Sequence, residues 1–173
     1  MKKTILLSLL SVLILGSCDN DVSYPYQGKD AVYFQVNSTW SVTTDSIEYT
    51  FAGKGKEEDV VEVRVNLQGN MAATDRKIQV VVDPSKSTAE EGLHYQPLAE
   101  EYVLPANEVS VNIPVTVLKK DATLENKKVT LALQLKPTDD FDLGITERTE
   151  VFLNISNMLK KPTYWEGTIK YYF

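Results

Sequence analysis

The chain has 173 residues, enough for one domain with a real core, and its 18 basic and 24 acidic residues give a net charge of -6. The acidic balance argues against a nucleic-acid partner, because neutralising phosphates requires clustered lysine and arginine. A single cysteine rules out an internal disulfide.

The first predicted element is an export signal over residues 1–17. A basic start, "MKK", precedes "TILLSLLSVLILG", an uncharged run too short to span a bilayer comfortably as a permanent helix. The run ends in "LGSC", residues 15–18, which resembles the lipobox of bacterial lipoproteins, where the cysteine is acylated and the signal is cut just before it. We therefore predict that Cys18 carries a lipid that anchors the mature chain to a membrane. A secretory signal with an incidental cysteine is the alternative.

Residues 18–30 form the next segment, which is polar, turn-rich and without the periodicity of a helix or a strand. We predict a flexible tether here. Asp19 and Asp21 resemble the acidic export signal of Bacteroidota lipoproteins, which implies an outer-membrane protein that faces the cell exterior. Ordinary solvated linker charge is the alternative interpretation of these two residues.

Residues 31–156 show a hydrophobic period of two, which predicts β-strands. Val61 and Val63 alternate with Glu62 and Arg64, for example, so one face of the strand is buried and the other is wet. This pattern predicts an all-β domain, an antiparallel β-sandwich of two packed sheets. The predicted strands, about seven in number, cover residues 31–36, 46–51, 60–67, 77–82, 108–118, 128–135 and 150–156.

Two local predictions follow from residue type. Pro114 lacks an amide hydrogen, so its strand should lie at a sheet edge or carry a bulge there. Asp75 and Arg76 are adjacent in a loop and are predicted to form an ion pair that pins it.

The stretch "STAEEGLHY", residues 87–95, belongs to a longer pattern that resembles the Calx-beta family. The resemblance covers roughly residues 80–155 and implies an immunoglobulin-like sandwich. The matching positions are Thr88, Ala89, Gly92, Tyr95, Asp121 and Glu125.

A closer resemblance is to the DUF4843 family of Bacteroidota lipoproteins. It rests on "YF" at 33–34, "DR" at 75–76, "STAEEGLHY", "LPA" at 104–106, and "KP" at 161–162 followed by Trp165. Members are often encoded beside SusC- and SusD-like outer-membrane importers, which implies a part in nutrient capture. They generally continue past Phe173, so the resemblance implies that the C-terminal segment 157–173 is either truncated or unusually short.

The residues of this motif also suit structural tasks. Gly92 fits a turn that needs a positive φ, and Thr88 can bond its own backbone. Tyr95 is large enough to close one end of the sandwich, with its hydroxyl held by a backbone carbonyl.

Calcium is the functional alternative at this motif. Some Calx-beta domains bind calcium, and Glu90, Glu91, Asp121 and Glu125 offer hard oxygen ligands. Lys119 and Lys120 precede Asp121, however, and their charges would repel a cation. We expect no bound metal and no other cofactor.

Catalysis finds little support in the sequence. His94, the only histidine, lies inside the motif, and no nucleophile motif such as G-x-S-x-G accompanies it. We expect a loop histidine that packs on Tyr95 or faces solvent. Neighbouring acids, such as Glu100 and Glu101, point apart in an extended chain, whereas the carboxyls of a glycosidase face each other across a sugar. We therefore expect no enzymatic activity.

Binding is the function that remains. Sugars stack on exposed aromatic rings, so Trp40 and Trp165 are the candidate ligand-binding residues, although these rings also suit a role in capping the core. The sequence and the resemblance together predict a non-catalytic outer-membrane lipoprotein that assists glycan or peptide uptake alongside a SusC/SusD-like importer. The alternative is an adhesion or scaffold module that works through protein contacts, with or without stiffening by calcium.

Overall fold

A computed structural model of the chain describes residues 26–35, 37–39 and 42–159. The predicted signal over residues 1–17 and the candidate residues Cys18, Asp19, Asp21, Trp40 and Trp165 lie outside these ranges. No helix in the described ranges is long and apolar enough to cross a membrane. The strands are β1 (Ala31–Phe34), β2 (Asn37–Thr39), β3 (Val42–Thr44), β4 (Ser46–Thr50), β5 (Glu58–Gln68), β6 (Arg76–Val82), β7 (Tyr102–Leu104), β8 (Ser110–Leu118), β9 (Val129–Lys136), β10 (Asp142–Leu143) and β11 (Glu150–Ser156).

Two sheets form the sandwich. The first sheet has the order β10-β1-β5-β8, and the second has the order β4-β11-β9-β6-β7. A separate hairpin joins β2 and β3. Short 3-10 helices at Ala122–Glu125 and Thr146–Arg148 lie in the connections.

The predicted all-β sandwich is confirmed, and each of the seven predicted strands is present. The four strands that the period of two did not predict, β2, β3, β7 and β10, have only two or three residues each. The prediction that the sheets are antiparallel is wrong in part: they are mixed, because β1 pairs in parallel with β10 and β4 in parallel with β11. β1 and β4 belong to different sheets. Each lies beside a strand from later in the chain that runs parallel to it.

The core lies between the inner faces of the two sheets, and β5 shows how the sequence builds it. Val63 and Val65 are fully buried, while Glu62 and Arg64 are exposed. Burying each side chain of this size contributes about 1.5–3 kcal/mol before the entropy of ordering is counted. The largest fully buried side chains are Phe34, Phe51, Phe141, Ile78, Leu104, Ile113, Leu124, Leu131, Leu133, Leu135, Leu153 and Ile155.

Pro114 lies in β8 at the edge of the first sheet, as its chemistry predicts. The carbonyl of Thr116 and the amide of Leu118 bond outward, to the backbone of Gln96 and His94. Residues two apart in a strand direct their main-chain groups to the same side. The missing N–H of Pro114 therefore faces away from β5, and the ladder between β5 and β8 loses no hydrogen bond.

The predicted ion pair between Asp75 and Arg76 is wrong. Arg76 is buried, donates to Asp30 at 2.7 Å, and its guanidinium lies 4.6 Å from the centre of the Phe141 ring. Asp75 instead accepts from the amide of Ala106 at 2.9 Å. Arg76 begins β6, and successive side chains of an extended chain point to opposite sides, so the two residues have different partners.

The start of the described chain is held against the sandwich. Asp30 pairs with Arg76, and Lys29 donates to Asp142 at 2.9 Å. The side-chain amide of Asn70 donates to the carbonyl of Tyr26 at 3.0 Å. Residues 26–30, which the sequence assigns to the tether, therefore contact β6, β10 and the loop after β5.

Candidate functional site

The motif around residues 87–95 covers one side of β9. β6 pairs with β9 only as far as Val82 opposite Leu133, which leaves the N-terminal part of β9 without a strand on that side. The hydroxyl of Ser87 accepts from the amide of Ala132, and that of Thr88 from the amide of Thr130, both at 2.9 Å. The expectation that Thr88 bonds its own backbone is wrong, because its hydroxyl takes the place of a missing strand partner.

We name residues 83–89 the sealing segment. Its main chain also bonds to β9, since the amide of Asp83 donates to the carbonyl of Ala132 at 2.9 Å, and the amides of Thr88 and Ala89 donate to Thr130. Backbone groups and two hydroxyls together satisfy this edge of β9.

His94 is buried, which contradicts the solvent-facing one of its two expected placements, and it joins two loops. The amide of Glu90 donates to its Nδ1 at 2.9 Å, and its Nε2 lies 3.0 Å from Asp121. Because an amide can only donate, Nδ1 must accept, and we assign the proton to Nε2, which donates to the carboxylate. Both ring nitrogens are occupied by structural hydrogen bonds.

Asp121 caps the 3-10 helix Ala122–Glu125 and anchors His94. Its carboxylate accepts from the amide of Thr123 at 2.8 Å and from the hydroxyl of Thr123 at 2.6 Å. Hydrogen bonds from the Thr123 hydroxyl and amide, followed by that from His94, lower the pKa of Asp121 to about 2. The carboxylate is thus held in its ionised form by neighbours within the fold.

The four residues considered as calcium ligands are not gathered into a metal site. Within the described ranges, no three acidic, histidine or cysteine side chains are placed to hold one ion. Nearby, Lys119 pairs with Glu57 at 2.9 Å, and Lys120 donates to the carbonyl of Gly92 at 3.2 Å. Two amino groups therefore lie close to the loops that carry the proposed ligands.

Gly92 and Tyr95 hold the turn that follows the sealing segment. Gly92 has a φ of +78°, the left-handed conformation that its residue type predicts. The ring of Tyr95 is buried in the core cluster. Among the described residues no carbonyl accepts a hydrogen bond from its hydroxyl, so that part of the prediction is wrong. Burial and the charge of Glu91 raise the pKa of Tyr95.

A groove of about 510 Å³ opens beside Tyr95, between β6 and the segment that leads to β7. This volume is within the usual range of about 300–1,000 Å³ for ligand pockets. We name it the β6 groove. It is lined by Gln79, Val80, Val81, Val82, Glu91, Tyr95, Pro97, Leu98, Ala99, Glu100 and Glu101.

One wall of the β6 groove is an open strand edge. β7 pairs with β6 from Arg76 only to Ile78. The bond from the amide of Asp83 to β9 shows that Val81 and Asp83 direct their main-chain groups toward β9. Val80 and Val82 alternate with them and must face the groove. In the described ranges, neither has a main-chain partner on that side.

The opposite wall offers few main-chain donors to β6. The amide of Ala99 donates to the hydroxyl of Tyr102 at 3.2 Å, and the wall contacts β6 through the side-chain ion pair of Glu101 with Lys77 at 2.8 Å. Pro97 has no amide hydrogen to offer. The amides of Pro97 and Ala99 are therefore not available to Val80 or Val82, and the pairing of β7 stops at Ile78.

The rim of the β6 groove is acidic. Glu91, Glu100 and Glu101 line it, and all three are exposed. Glu101 is neutralised by Lys77, whose pKa is raised by this hydrogen bond and by the charge of Glu101. Neither Glu91 nor Glu100 belongs to an ion pair within the described ranges. Their negative charges are therefore available to attract a basic ligand.

The β6 groove is not predictable from the local sequence pattern. The pattern predicts the strand over residues 77–82 but not β7, whose three residues are too few to show a period of two. The available signal was the apolar triplet "YVL" before Pro105 and Asn107, the latter with a positive φ of 62°. That signal marks a strand and a turn, but it does not indicate where pairing with β6 stops.

Comparison with known proteins gives a family and a fold. A family model described as "Domain of unknown function (DUF4843)" matches residues 26–173. No curated protein matches the sequence significantly.

Solved structures with the same architecture include two Calx domains. "Crystal structure of Apo-form Calx CBD1 domain" is 14% identical with a TM-score of 0.54, and the match covers 77% of this chain and 100% of that one. "Crystal structure of Calx CBD2 domain" is 15% identical with a TM-score of 0.51, covering 83% and 96%. These likenesses confirm the Calx-beta-like fold and, at such identity, nothing beyond it.

A third similar structure is that of a "putative carbohydrate binding protein" from Bacteroides ovatus. It is 10% identical with a TM-score of 0.53, and the match covers 75% of this chain. The chain spans only 38% of that protein's length.

Proposed function

The chain belongs to the DUF4843 family, and from this premise we propose that it is a non-catalytic, lipid-anchored binding module of the outer membrane. In this proposal Cys18 carries the lipid, Asp19 and Asp21 direct the protein to the cell exterior, and the β-sandwich assists the uptake of a glycan or peptide alongside a SusC/SusD-like importer. The observation that carries the binding role is the β6 groove, where an open strand edge faces an acidic rim.

The chemistry of the described residues supports binding over catalysis. Both nitrogens of His94 are engaged by Glu90 and Asp121, so the ring cannot serve as a base without breaking the fold locally. The hydroxyl of Tyr49 donates to Asp59 at 2.8 Å, and burial together with that hydrogen bond raises its pKa. His94 thus joins two loops, and Tyr49 links β4 to β5.

The carbohydrate binding ascribed to the Bacteroides ovatus protein favours a glycan as one ligand class. Trp40 and Trp165 remain the proposed stacking residues. Affinity electrophoresis in gels containing polysaccharide tests this role. We expect retardation that Trp40→Ala or Trp165→Ala weakens, with Tyr26→Ala as an exposed aromatic control. Mobility unchanged in every polysaccharide would reject glycan binding.

The anchor and the partner need separate experiments. Cys18→Ser should move the protein from the membrane fraction to the soluble one, and continued membrane association would reject the lipid anchor. Pull-down from solubilised outer membranes should recover an importer of the SusC/SusD type. Recovery of other surface proteins alone would favour the adhesion or scaffold role.

A further inference from the structure

The β6 groove has the geometry of a site for strand addition. Val80 and Val82 present main-chain donors and acceptors to it, because β7 ends its pairing at Ile78. An extended peptide can bond to such an edge and continue the sheet, so that backbone hydrogen bonds give affinity and side-chain pockets give selectivity.

The sides of the groove define the chemistry of the peptide. Tyr95 is buried and Leu98 packs against the core cluster, so the inner wall is apolar. Glu91 and Glu100 form an acidic rim that no described cation neutralises. Successive side chains of an extended strand point to opposite faces, which matches an apolar residue facing inward and a basic residue facing the rim.

A sugar would use this groove poorly. Sugars stack on exposed aromatic faces, whereas the ring of Tyr95 is only 6% exposed. The unpaired main-chain groups of Val80 and Val82 require partners in alternating directions, and another backbone supplies them at the right spacing. The observations therefore favour a peptide over a glycan at this position.

We propose that the β6 groove binds an extended segment of another protein, with alternating apolar and basic residues, as an added strand along Val80–Val82. This inference rests on the proposed binding function and names the partner class for the groove. The edge at Val80–Val82 is accessible because β7 pairs with β6 only as far as Ile78. The net charge of -6 adds a general attraction for a basic segment.

The experiment uses the full chain and a synthetic heptapeptide of alternating lysine and valine, with binding measured by fluorescence anisotropy. Two control peptides replace lysine by glutamate, or carry N-methyl groups on alternate amides that block one side of the ladder. We expect binding of the lysine peptide only, with a dissociation constant that rises with salt.

Variants of the protein locate the binding. Val82→Pro removes the amide that faces the groove and should weaken binding about tenfold, the equivalent of one lost hydrogen bond. Glu100→Gln should weaken it about two- to fivefold at low salt, while Glu147→Gln, an exposed acid of the Thr146–Arg148 helix, should not change it. If Val82→Pro fails to fold, the N-methylated peptide makes the same test on the unaltered protein.

Several results would overturn the proposal. Equal binding of the lysine and N-methylated peptides would show simple charge attraction. A dimer that Val82→Pro disrupts, with no peptide bound, would assign the edge to a second copy of the chain. Retention by polysaccharide gels without peptide binding would leave the proposed function standing and reject this inference alone.

Discussion

Two stretches of strand edge in the second sheet differ sharply. The edge of β9 from Thr130 to Ala132 is covered by the sealing segment, which uses the hydroxyls of Ser87 and Thr88 where strand partners are missing. The edge of β6 from Val80 to Val82 is left open. Both edges border polar loops. Whether an edge is covered therefore depends on which main-chain and side-chain groups the loop directs toward the strand.

The difference shows what determines whether a strand edge is covered or stays accessible. Unpaired edges invite association with other chains, and most proteins cover or charge them. Here the sealing segment has short hydroxyl side chains next to the backbone it covers. The opposite segment has Pro97, which lacks an amide hydrogen, and the amide of Ala99 donates to Tyr102 instead of to β6. We interpret the covered edge as structural and the open edge as functional.

Proline substitutions in β6 should have the largest effect on stability. Val81 directs its amide to β9, so Val81→Pro removes a ladder bond and should cost about 3 kcal/mol or more, as prolines do inside regular elements. Val82→Pro removes only an amide that faces the groove and should cost clearly less. Urea unfolding of both variants measures the difference. Equal losses would mean that the edge at Val82 is already paired.

Removal of a sealing hydroxyl should have the next largest effect. Ser87→Ala leaves the amide of the buried Ala132 without its partner, which costs about 1–3 kcal/mol. Ser85→Ala, in the same loop, removes an exposed hydroxyl bonded to Asp83 and should change stability by less than about 0.5 kcal/mol. Urea midpoints of the two variants should therefore separate, and similar midpoints would contradict the sealing role.

His94 fixes the turn that connects the two edges. His94→Leu keeps much of the side-chain volume but leaves the amide of Glu90 without its acceptor, at a cost of about 1–3 kcal/mol. It also removes one of the hydrogen bonds to Asp121, whose carboxylate keeps those from Thr123. Thermal unfolding checks the effect, with Glu125→Gln as an exposed control on the neighbouring 3-10 helix. A histidine that only fills space would give a leucine variant as stable as the wild type.

The smallest expected effect is a pH dependence. Asp121 and Asp59 each have a pKa lowered to about 2, so their charged forms contribute stability above pH 4, and this contribution is lost as the pH falls from 4 to 2. Asp121→Asn should flatten part of that decline, and Asp59 should account for a remainder. Unfolding midpoints at pH 5, 3 and 2 test this, and parallel curves for variant and wild type would contradict it.

Much of the sandwich could be predicted from the sequence because burial in strands is local. Val61, Val63 and Val65 alternate with polar neighbours, so the strand and its inner face can be recognised within eight residues. Pro114 likewise indicates an edge strand from its own chemistry. These inferences need no information about distant partners.

The candidate site depends on contacts that the local pattern does not contain. His94 and Asp121 are separated by 27 residues, and Arg76 pairs with Asp30 rather than with its neighbour Asp75. The open edge exists because β7 stops opposite Ile78, and the preceding segment, about twenty residues along the chain, has Pro97 and an Ala99 amide bonded to Tyr102. Nothing in the pattern of residues 77–82 marks that point.

Amide hydrogen exchange, followed by NMR, tests the central claim most directly. Val82 should exchange rapidly in the free protein, while Ala132 and Thr130, which donate to the sealing hydroxyls, should be protected. Addition of the alternating lysine and valine peptide should slow the exchange of Val82 and leave Ala132 unchanged. A Val82 amide that is already protected without peptide, or one that the peptide does not slow, would contradict the account.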